Sequence, residues 1–241
     1  MIRIFFILLL FIAALPVFSQ TAEEYYNQAD ALDYSSKDDA KKAISLLTKA
    51  IDARPDYKDA LLLRAEIYEL QGMYKEEISD FTTLIKTDST YAGYYKSRAK
   101  AYLLKNETEK AISDYTKAHN IDTSMTECIY ERGKIYGDFF VSKKAQLAID
   151  DFTFCIAQGS ISIKSLSYVG RGRVYENQED FDKAMTDYNT AVKVNPFCKE
   201  AFLYRGILKL SLNQDGCYDL LKYREMYGDN AQDYLDKYCY K

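Results

Sequence analysis

Five eight-residue segments share one pattern: LLLRAEIY at 61–68, YKSRAKAY at 95–102, IYERGKIY at 129–136, YVGRGRVY at 168–175 and FLYRGILK at 202–209. Each begins with a large apolar residue, which is followed three positions later by Arg and then by Ala or Gly. The arginines are 34 residues apart, except that Arg132 and Arg171 are 39 apart. Apolar residues at three- and four-residue steps predict amphipathic helices, and a fixed period of this length is typical of helical repeats.

A second apolar segment follows each of these. The second segments are EISDFTTLI from Glu77, AISDYTKAH from Ala111, AIDDFTFCI from Ala148, AMTDYNTAV from Ala184 and GCYDLLKYR from Gly216, and an earlier pair, YYNQADAL from Tyr25 and AISLLTKAI from Ala43, completes six units. The 241 residues include only three prolines and ten glycines, and so few helix breakers favour long helices over strands and turns. Pro55 and Pro196 fall just past second segments, where a helix must end.

The repeats resemble the tetratricopeptide repeat family. The small position of the first helix is matched by Ala65, Ala99, Gly133, Gly172 and Gly206. In the second helix, the small position is matched by Ala43, Ala111, Ala148 and Ala184, and the aromatic position by Phe81, Tyr115, Phe152 and Tyr188. Pro55 and Pro196 match the terminal proline. The chain departs from the pattern at Glu77, where Ala is usual, and at Cys155, a late small position. It also has no Trp, which is common at the start of the first helix in this family.

The resemblance covers residues 22 to 227 and implies an all-α fold. We expect a right-handed superhelical solenoid of about six helix-turn-helix hairpins, at 22–57, 58–91, 92–125, 126–164, 165–198 and 199–227, followed by a C-terminal capping helix at 228–241. Stacked hairpins of this kind bury a continuous core that no single hairpin could bury alone. The longer step between Arg132 and Arg171 predicts extra residues in a turn at 137–144 and between two repeats near 160–164.

Residues 1–19 have the pattern of a secretory signal peptide. Arg3 precedes an uncharged apolar run from Ile4 to Leu15, and Ser19 ends the segment, as in signals with a cationic head, an apolar core and a small residue at the cut. The alternative, an uncleaved anchor helix, needs about 20 apolar residues, which this run lacks. We therefore expect cleavage after Ser19, a mature chain with no membrane span, and export to the periplasm or the exterior of a bacterium.

The charge balance argues against a nucleic-acid partner. Loss of Arg3 with the signal segment would leave 31 basic and 36 acidic residues. No run of five or six like charges occurs, whereas nucleic-acid binders carry a basic patch or stripe.

An aspartate recurs with each repeat arginine. The pairs are Arg64 with Asp80, Arg98 with Asp114, Arg132 with Asp151, Arg171 with Asp187 and Arg205 with Asp219. The first repeat has Gln28 and Leu46 at these positions and lacks both members. We interpret the pairs as structural ion pairs, because a partly buried Arg requires a carboxylate. The alternative is a ladder of arginines that binds anions.

The five cysteines predict one or two disulfides in an exported chain. Cys217 and Cys239 are each eleven residues from Gly228, the expected turn, and an antiparallel hairpin would place them level. Cys128 and Cys155 form a second candidate pair, since each lies four residues from the Arg132–Asp151 pair. Buried free thiols remain the alternative for all five, because Cys packs like a small hydrophobe.

No pattern of catalytic or metal-binding residues is apparent. His119 is the only histidine, and the chain has neither a G-x-x-x-x-G-K nor an H-E-x-x-H motif. We expect no enzymatic activity, no cofactor and no bound metal.

First helices line the concave groove in this family, and the resemblance assigns six residues to it: Lys96, Lys100, Tyr130, Lys134, Arg173 and Tyr204. Lys100, Lys134 and Arg173 take the same place in three successive repeats and predict a short basic stripe for an acidic peptide or a terminal carboxylate. The alternative is a solvated wall of mixed charge. The expected function is a protein-interaction scaffold or adaptor that binds a peptide or protein in the groove. A structural subunit of an envelope or secretion-associated assembly, which would use outer surfaces, is the alternative.

Overall fold

The computed structural model describes residues 20–138, 144–227 and 232–240, and every regular element within these ranges is an α-helix. The expected signal peptide at 1–19, most of the insertion at 137–144 and the expected turn at Gly228 lie outside the described residues. The described chain falls into two compact units that divide between Gln71 and Gly72. Each unit is built only of helices in these ranges, which confirms the prediction of an all-α chain.

The first unit contains three helices: α1 (Ala22–Asp30), α2 (Lys37–Ala53) and α3 (Lys58–Leu70). Thr21 begins α1 with a capping box, in which its hydroxyl accepts from the Glu24 amide and the Glu24 carboxylate accepts from the Thr21 amide. Leu47 and Ile67 are fully buried at the centre of a core that is otherwise formed by small alanines. These alanines let the helices of the unit approach closely.

The second unit contains ten helices within its described residues. They are α4 (Tyr74–Thr87), α5 (Ala92–Leu104), α6 (Thr108–Ile121), α7 (Thr126–Asp138), α8 (Ala145–Gln158), α9 (Ile161–Asn177), α10 (Phe181–Val194), α11 (Lys199–Ser211), α12 (Cys217–Tyr227) and α13 (Gln232–Tyr238). From α5 onward they form four hairpins, α5–α6, α7–α8, α9–α10 and α11–α12, and each hairpin packs on the next. The first helices α7, α9 and α11 also pack on one another, so they form one layer.

The same left-handed turn ends the first helix of several repeats. Gly72, Asn106, Glu179 and Asn213 have φ of 70°, 59°, 61° and 57°. Glycine and asparagine tolerate this conformation, whereas a glutamate adopts it at a cost. Second helices end in a different way: the side chains of Asp88, Asp122 and Asn195 accept hydrogen bonds from amides two residues later. The two kinds of turn set the spacing of the helices within and between repeats.

Helix α9 is longer than the other first helices of the second unit. It begins at Ile161, whereas the sequence predicts extra residues between repeats near 160–164 and a repeat that starts at 165. Ser160 explains the difference, because its hydroxyl accepts from the Ile163 amide and begins the helix about one turn early. The extra residues therefore lengthen a helix rather than a linker.

A disulfide bond joins α12 to the chain after α13. The bond links Cys217 and Cys239, whose Cα atoms are 5.7 Å apart, as the sequence predicts. Leu235 of α13 is fully buried against a cluster that includes Leu220 and Tyr223 of α12. The short terminal helix is therefore held by both a covalent bond and an apolar contact.

The second predicted cysteine pair is wrong. Cys128 and Cys155 are separate free thiols, as is Cys198. Both are fully buried, and the Cys155 thiol donates to the carbonyl oxygen of Thr126 at 3.4 Å. Each cysteine lies four residues from a member of the Arg132–Asp151 pair, which places its side chain in the repeat core. There it packs as a small apolar side chain.

Candidate binding pocket on helices α7, α9 and α11

A pocket of about 130 Å³ lies on the layer of first helices in the second unit. Its lining consists of Tyr130, Lys134, Gly137 and Asp138 from α7, Phe152 from α8, Leu166, Val169, Gly170, Arg173, Val174 and Asn177 from α9, and Glu200 and Tyr204 from α11. Three successive repeats thus contribute to one concavity. An engineered cavity of about 150 Å³ in another protein holds benzene, so this space suits a phenyl ring or a branched aliphatic side chain.

Two glycines in the lining allow neighbouring side chains to pack closely around the pocket. Gly170 occupies the position just before the repeat arginine, where other repeats have Leu63, Ser97, Glu131 and Tyr204. A Cβ atom at Gly170 would lie 2.5 Å from Cζ of Phe152, so no larger residue fits there without displacing the ring. A Cβ at Gly137 would lie 3.3 Å from Cγ2 of Val174 and 3.9 Å from the Phe152 ring, which is a tight but tolerable contact.

Two tyrosines supply polar groups to the wall of the pocket. The Tyr130 ring packs 5.9 Å from that of Phe152, and the Tyr204 ring stacks 6.3 Å from that of Tyr188. Burial raises the pKa of the Tyr130 phenol, and the nearby carboxylates of Glu131 and Glu200 raise it further, so the hydroxyl stays protonated. Across the described ranges neither the Tyr130 nor the Tyr204 hydroxyl has a hydrogen-bond partner in the protein, so both can bond to a ligand.

The charged groups of the pocket differ in how they are engaged. The Lys134 ammonium pairs with Glu131 at 2.8 Å and lies 5.4 Å from the centre of the Tyr130 ring. The Arg173 guanidinium stacks over the Tyr204 ring, 4.8 Å from its centre, and its side chain is exposed. Among the residues that the structure describes, no carboxylate forms an ion pair with Arg173. Arg173 is therefore a cation positioned by an aromatic ring and open to an anion.

The structure brings four of the six predicted groove residues together: Tyr130, Lys134, Arg173 and Tyr204 all line the pocket. Lys96 and Lys100 lie on α5, outside the lining, and Lys96 pairs with Glu127 at 3.2 Å. The expected stripe of Lys100, Lys134 and Arg173 is thus uneven, because Lys134 has a carboxylate partner of its own and Arg173 does not. Sequence register shows which positions are equivalent between repeats, but not which charges their neighbours neutralise.

The recurring arginines lie away from this pocket and bind aspartate side chains in the same hairpin. In repeats three to six each guanidinium donates to both carboxylate oxygens, at 2.6–2.9 Å, in the pairs Arg98–Asp114, Arg132–Asp151, Arg171–Asp187 and Arg205–Asp219. These hydrogen bonds raise the pKa of Arg98, Arg132 and Arg171 above the ordinary value for arginine. Asp80 is buried on α4. The paired arginines have no free face of the kind that Arg173 presents.

Each arginine also has a second hydrogen-bond partner, which the arginine–aspartate pattern does not predict. Arg98 donates to the hydroxyl of Thr82 at 3.0 Å and Arg132 to that of Thr116 at 2.8 Å, so each guanidinium reaches the second helix of the preceding repeat. The equivalent partners elsewhere are Thr48 for Arg64, Thr153 for Arg171 and Asn189 for Arg205. The signal was present in the sequence, because Thr or Asn recurs two residues after the aspartate position. The arginine joins neighbouring hairpins as well as the two helices of one.

No cluster of three or more His, Cys, Asp or Glu side chains is placed to hold a metal ion within 20–138, 144–227 and 232–240. In the same ranges, no helix combines the length and apolar character that a membrane crossing needs.

Two segments of the chain match models of a known repeat. Tetratricopeptide repeat models match residues 26–92 and 166–198, and no curated protein matches the sequence. A tetratricopeptide repeat protein from Parabacteroides merdae has a similar structure, with a TM-score of 0.67 and 18% identity over 90% of this chain and 88% of that one.

Two further solved structures are similar. MamA has a TM-score of 0.63 and 21% identity, over 73% of this chain and 92% of that chain. YrrB, described as a TPR protein with an unusual peptide-binding site, has a TM-score of 0.59 and 18% identity, over 76% of this chain and 91% of that chain. These likenesses confirm the predicted solenoid fold of helical hairpins, and the chain carries tetratricopeptide repeats in the two segments that the models match.

Proposed function

We propose that this protein is a non-enzymatic scaffold or adaptor that binds a segment of another protein in the pocket on α7, α9 and α11. The observation that carries the proposal is the pocket itself. Buried Phe152, Val169 and Val174 border an apolar space, while Tyr130, Tyr204 and Arg173 present polar groups without partners among the described residues. A peptide satisfies both, because it brings apolar side chains together with hydrogen-bonding groups.

The paired arginines support this function by fixing the frame around the pocket. Arg132 links α7 to α8 through Asp151, and Arg171 links α9 to α10 through Asp187. Arg171 also donates to Thr153 of α8, which ties the two hairpins that line most of the pocket to each other. A preformed site of this kind loses little conformational entropy on binding. YrrB offers a precedent for peptide binding on the same fold.

We place the protein in a bacterial envelope, in the periplasm or outside the cell. Two observations support this location: the signal-peptide pattern of residues 1–19 and the disulfide between Cys217 and Cys239. Disulfides persist in oxidising compartments and are rare in the cytosol. Sequencing the N-terminus of the protein isolated from its cells tests the location, and a chain that begins at Gln20 is the expected result.

The second candidate function is a structural subunit that docks through its outer surface. Leu147 and Phe154 favour it, since they lie two turns apart on α8 and are 46% and 39% exposed. Phe197, in the turn before α11, is 77% exposed. Exposed apolar side chains of this size can mark an interface when they form a continuous patch.

Site-specific photo-crosslinking in living cells separates the two functions. One variant carries the photoreactive residue in place of Asn177, which lines the pocket and is exposed, and the other carries it in place of Leu147, which is exposed on α8. The scaffold function predicts that a partner crosslinks to position 177 and not to position 147. Crosslinks from position 147 alone would instead support the structural subunit.

A further inference from the structure

The chemistry of the pocket narrows the class of peptide that it fits. The apolar space is bounded by Phe152, Val169 and Val174, all of which are buried, and by the backbone of Gly170. Its volume of about 130 Å³ suits one large apolar side chain. Apolar anchors that enter a pocket commonly dominate the affinity of a peptide.

The charged side chains of the pocket indicate which peptide residue should lie next to that apolar anchor. Lys134 and Arg173 face Asp138 and Glu200 around the pocket, so its formal charge is balanced. Lys134 is paired with Glu131, whereas Arg173 forms no ion pair among the described side chains and is held over Tyr204. One open guanidinium matches one carboxylate. The planar fork of Arg can bind a carboxylate through two hydrogen bonds while its face stays on the ring.

We propose that the pocket recognises an internal segment of a partner protein in which a large apolar residue lies close to an aspartate or glutamate. The apolar side chain enters the space beside Phe152 and Gly170, and the acidic side chain binds Arg173. The proposal rests on the function given above and specifies its ligand. The single open guanidinium binds one carboxylate, and the neighbouring carboxylates of Asp138 and Glu200 disfavour a segment that brings a second one, as an acidic residue at a free C-terminus would.

Short random peptides selected against the purified chain test the proposal. We expect the selected peptides to share a large apolar residue near Asp or Glu, and the dissociation constant of one of them is then measured against variants. Arg173→Gln should weaken binding about tenfold, and replacing the peptide's acidic residue by its amide should weaken it equally. The two changes together should weaken binding no more than either alone, because they remove the same contact.

Matched controls distinguish a pocket contact from a general charge effect. Lys193→Gln removes one positive charge from an exposed site on α10 and should leave the dissociation constant unchanged. Gly137→Ala narrows the pocket, so it should weaken a peptide with a phenyl ring more than the same peptide with alanine. Circular dichroism and thermal unfolding confirm that each variant is folded, and the exposed Arg173 can be replaced without disturbing the core.

The outcomes separate this inference from the proposed function. Peptides that are sensitive to Gly137→Ala but indifferent to Arg173→Gln, or that lose affinity when their C-terminus is amidated, would overturn the inference and leave the proposed function standing. Peptides that ignore both substitutions, together with an absence of crosslinks from position 177, would overturn both.

Discussion

The contact between Arg98 and Asp114 offers a sharp test of how the repeats are held together. The guanidinium donates to both carboxylate oxygens at 2.7 and 2.9 Å and to the Thr82 hydroxyl at 3.0 Å. The side chains are only 15% and 9% exposed. Exposed ion pairs contribute about 0–1 kcal/mol, whereas breaking a buried pair costs about 3–5 kcal/mol. Because this pair is mostly buried, we expect Arg98→Met to lower the free energy of unfolding by about 2–3 kcal/mol.

A double-mutant cycle isolates the pair. Asp114→Asn should lower the free energy of unfolding by about 2 kcal/mol. The double variant should be about 1–2 kcal/mol more stable than the sum of the two losses predicts, because it leaves no unpaired charge, whereas each single variant leaves one. Urea unfolding followed by circular dichroism measures each value, with equal slopes required for the comparison. Glu225→Gln is the control, since Glu225 forms an exposed pair with Lys222 and should change stability far less. A coupling below about 0.5 kcal/mol would refute a mutually supporting pair.

Three further predictions follow from single features. Replacing Glu179, whose φ is 61°, with glycine should raise the free energy of unfolding by about 1 kcal/mol; a less stable variant in urea would contradict the strain. In denaturant, a thiol reagent should react with three thiols without reductant and with five after reduction. In the native state the reagent should not modify Cys128 and Cys155, because burial shields these thiols and raises their pKa to about 12. Loss of the disulfide, which joins residues 22 positions apart, should lower the free energy of unfolding by about 3 kcal/mol. Hydrogen bonds from Lys105 and Lys110 lower the pKa of Glu107 from 4.5 to about 2. The contribution of the Glu107 carboxylate to stability is therefore present above pH 4.5 and is lost as the pH falls toward 2. Carbon-13 NMR titration should find this low pKa in the wild type and a value closer to 4.5 in Lys110→Gln.

The repeat was readable from the sequence because its signals recur. One arginine in an apolar helix is ambiguous, but the joint recurrence of Arg98 with Asp114 and of Arg132 with Asp151 at fixed spacing points to contact between helices. The partners Thr82 and Thr116 obey the same spacing. The hydrogen bonds of these threonines were not predicted, because a threonine on a helix needs no particular partner. An arginine in an apolar segment, by contrast, requires a group that neutralises its charge.

Other features of the candidate site and the core depend on which side chains are neighbours in space, and the pattern of residues along the chain does not specify this. Lys134 and Arg173 are equivalent by register, yet Glu131 neutralises only the first, whereas Arg173 stacks on Tyr204 of the next repeat. Cys128 and Cys155 have the spacing of a pair, but each fills a separate place in the core. The pocket was also hidden, because it lies where the Phe152 ring packs directly against the backbone of Gly170. Such close packing is a property of the three-dimensional structure, which spacing along the chain does not specify.

We expect partner segments to bind on the layer formed by α7, α9 and α11. Amide hydrogen exchange of the protein, measured alone and with a partner identified by the crosslinks, tests it most directly. We predict slower exchange in α9 near Arg173, in the last turn of α7 and around Tyr204 of α11, with α6 and α10 unchanged. Slower exchange confined to the outer helices α8 and α10 would contradict the claim.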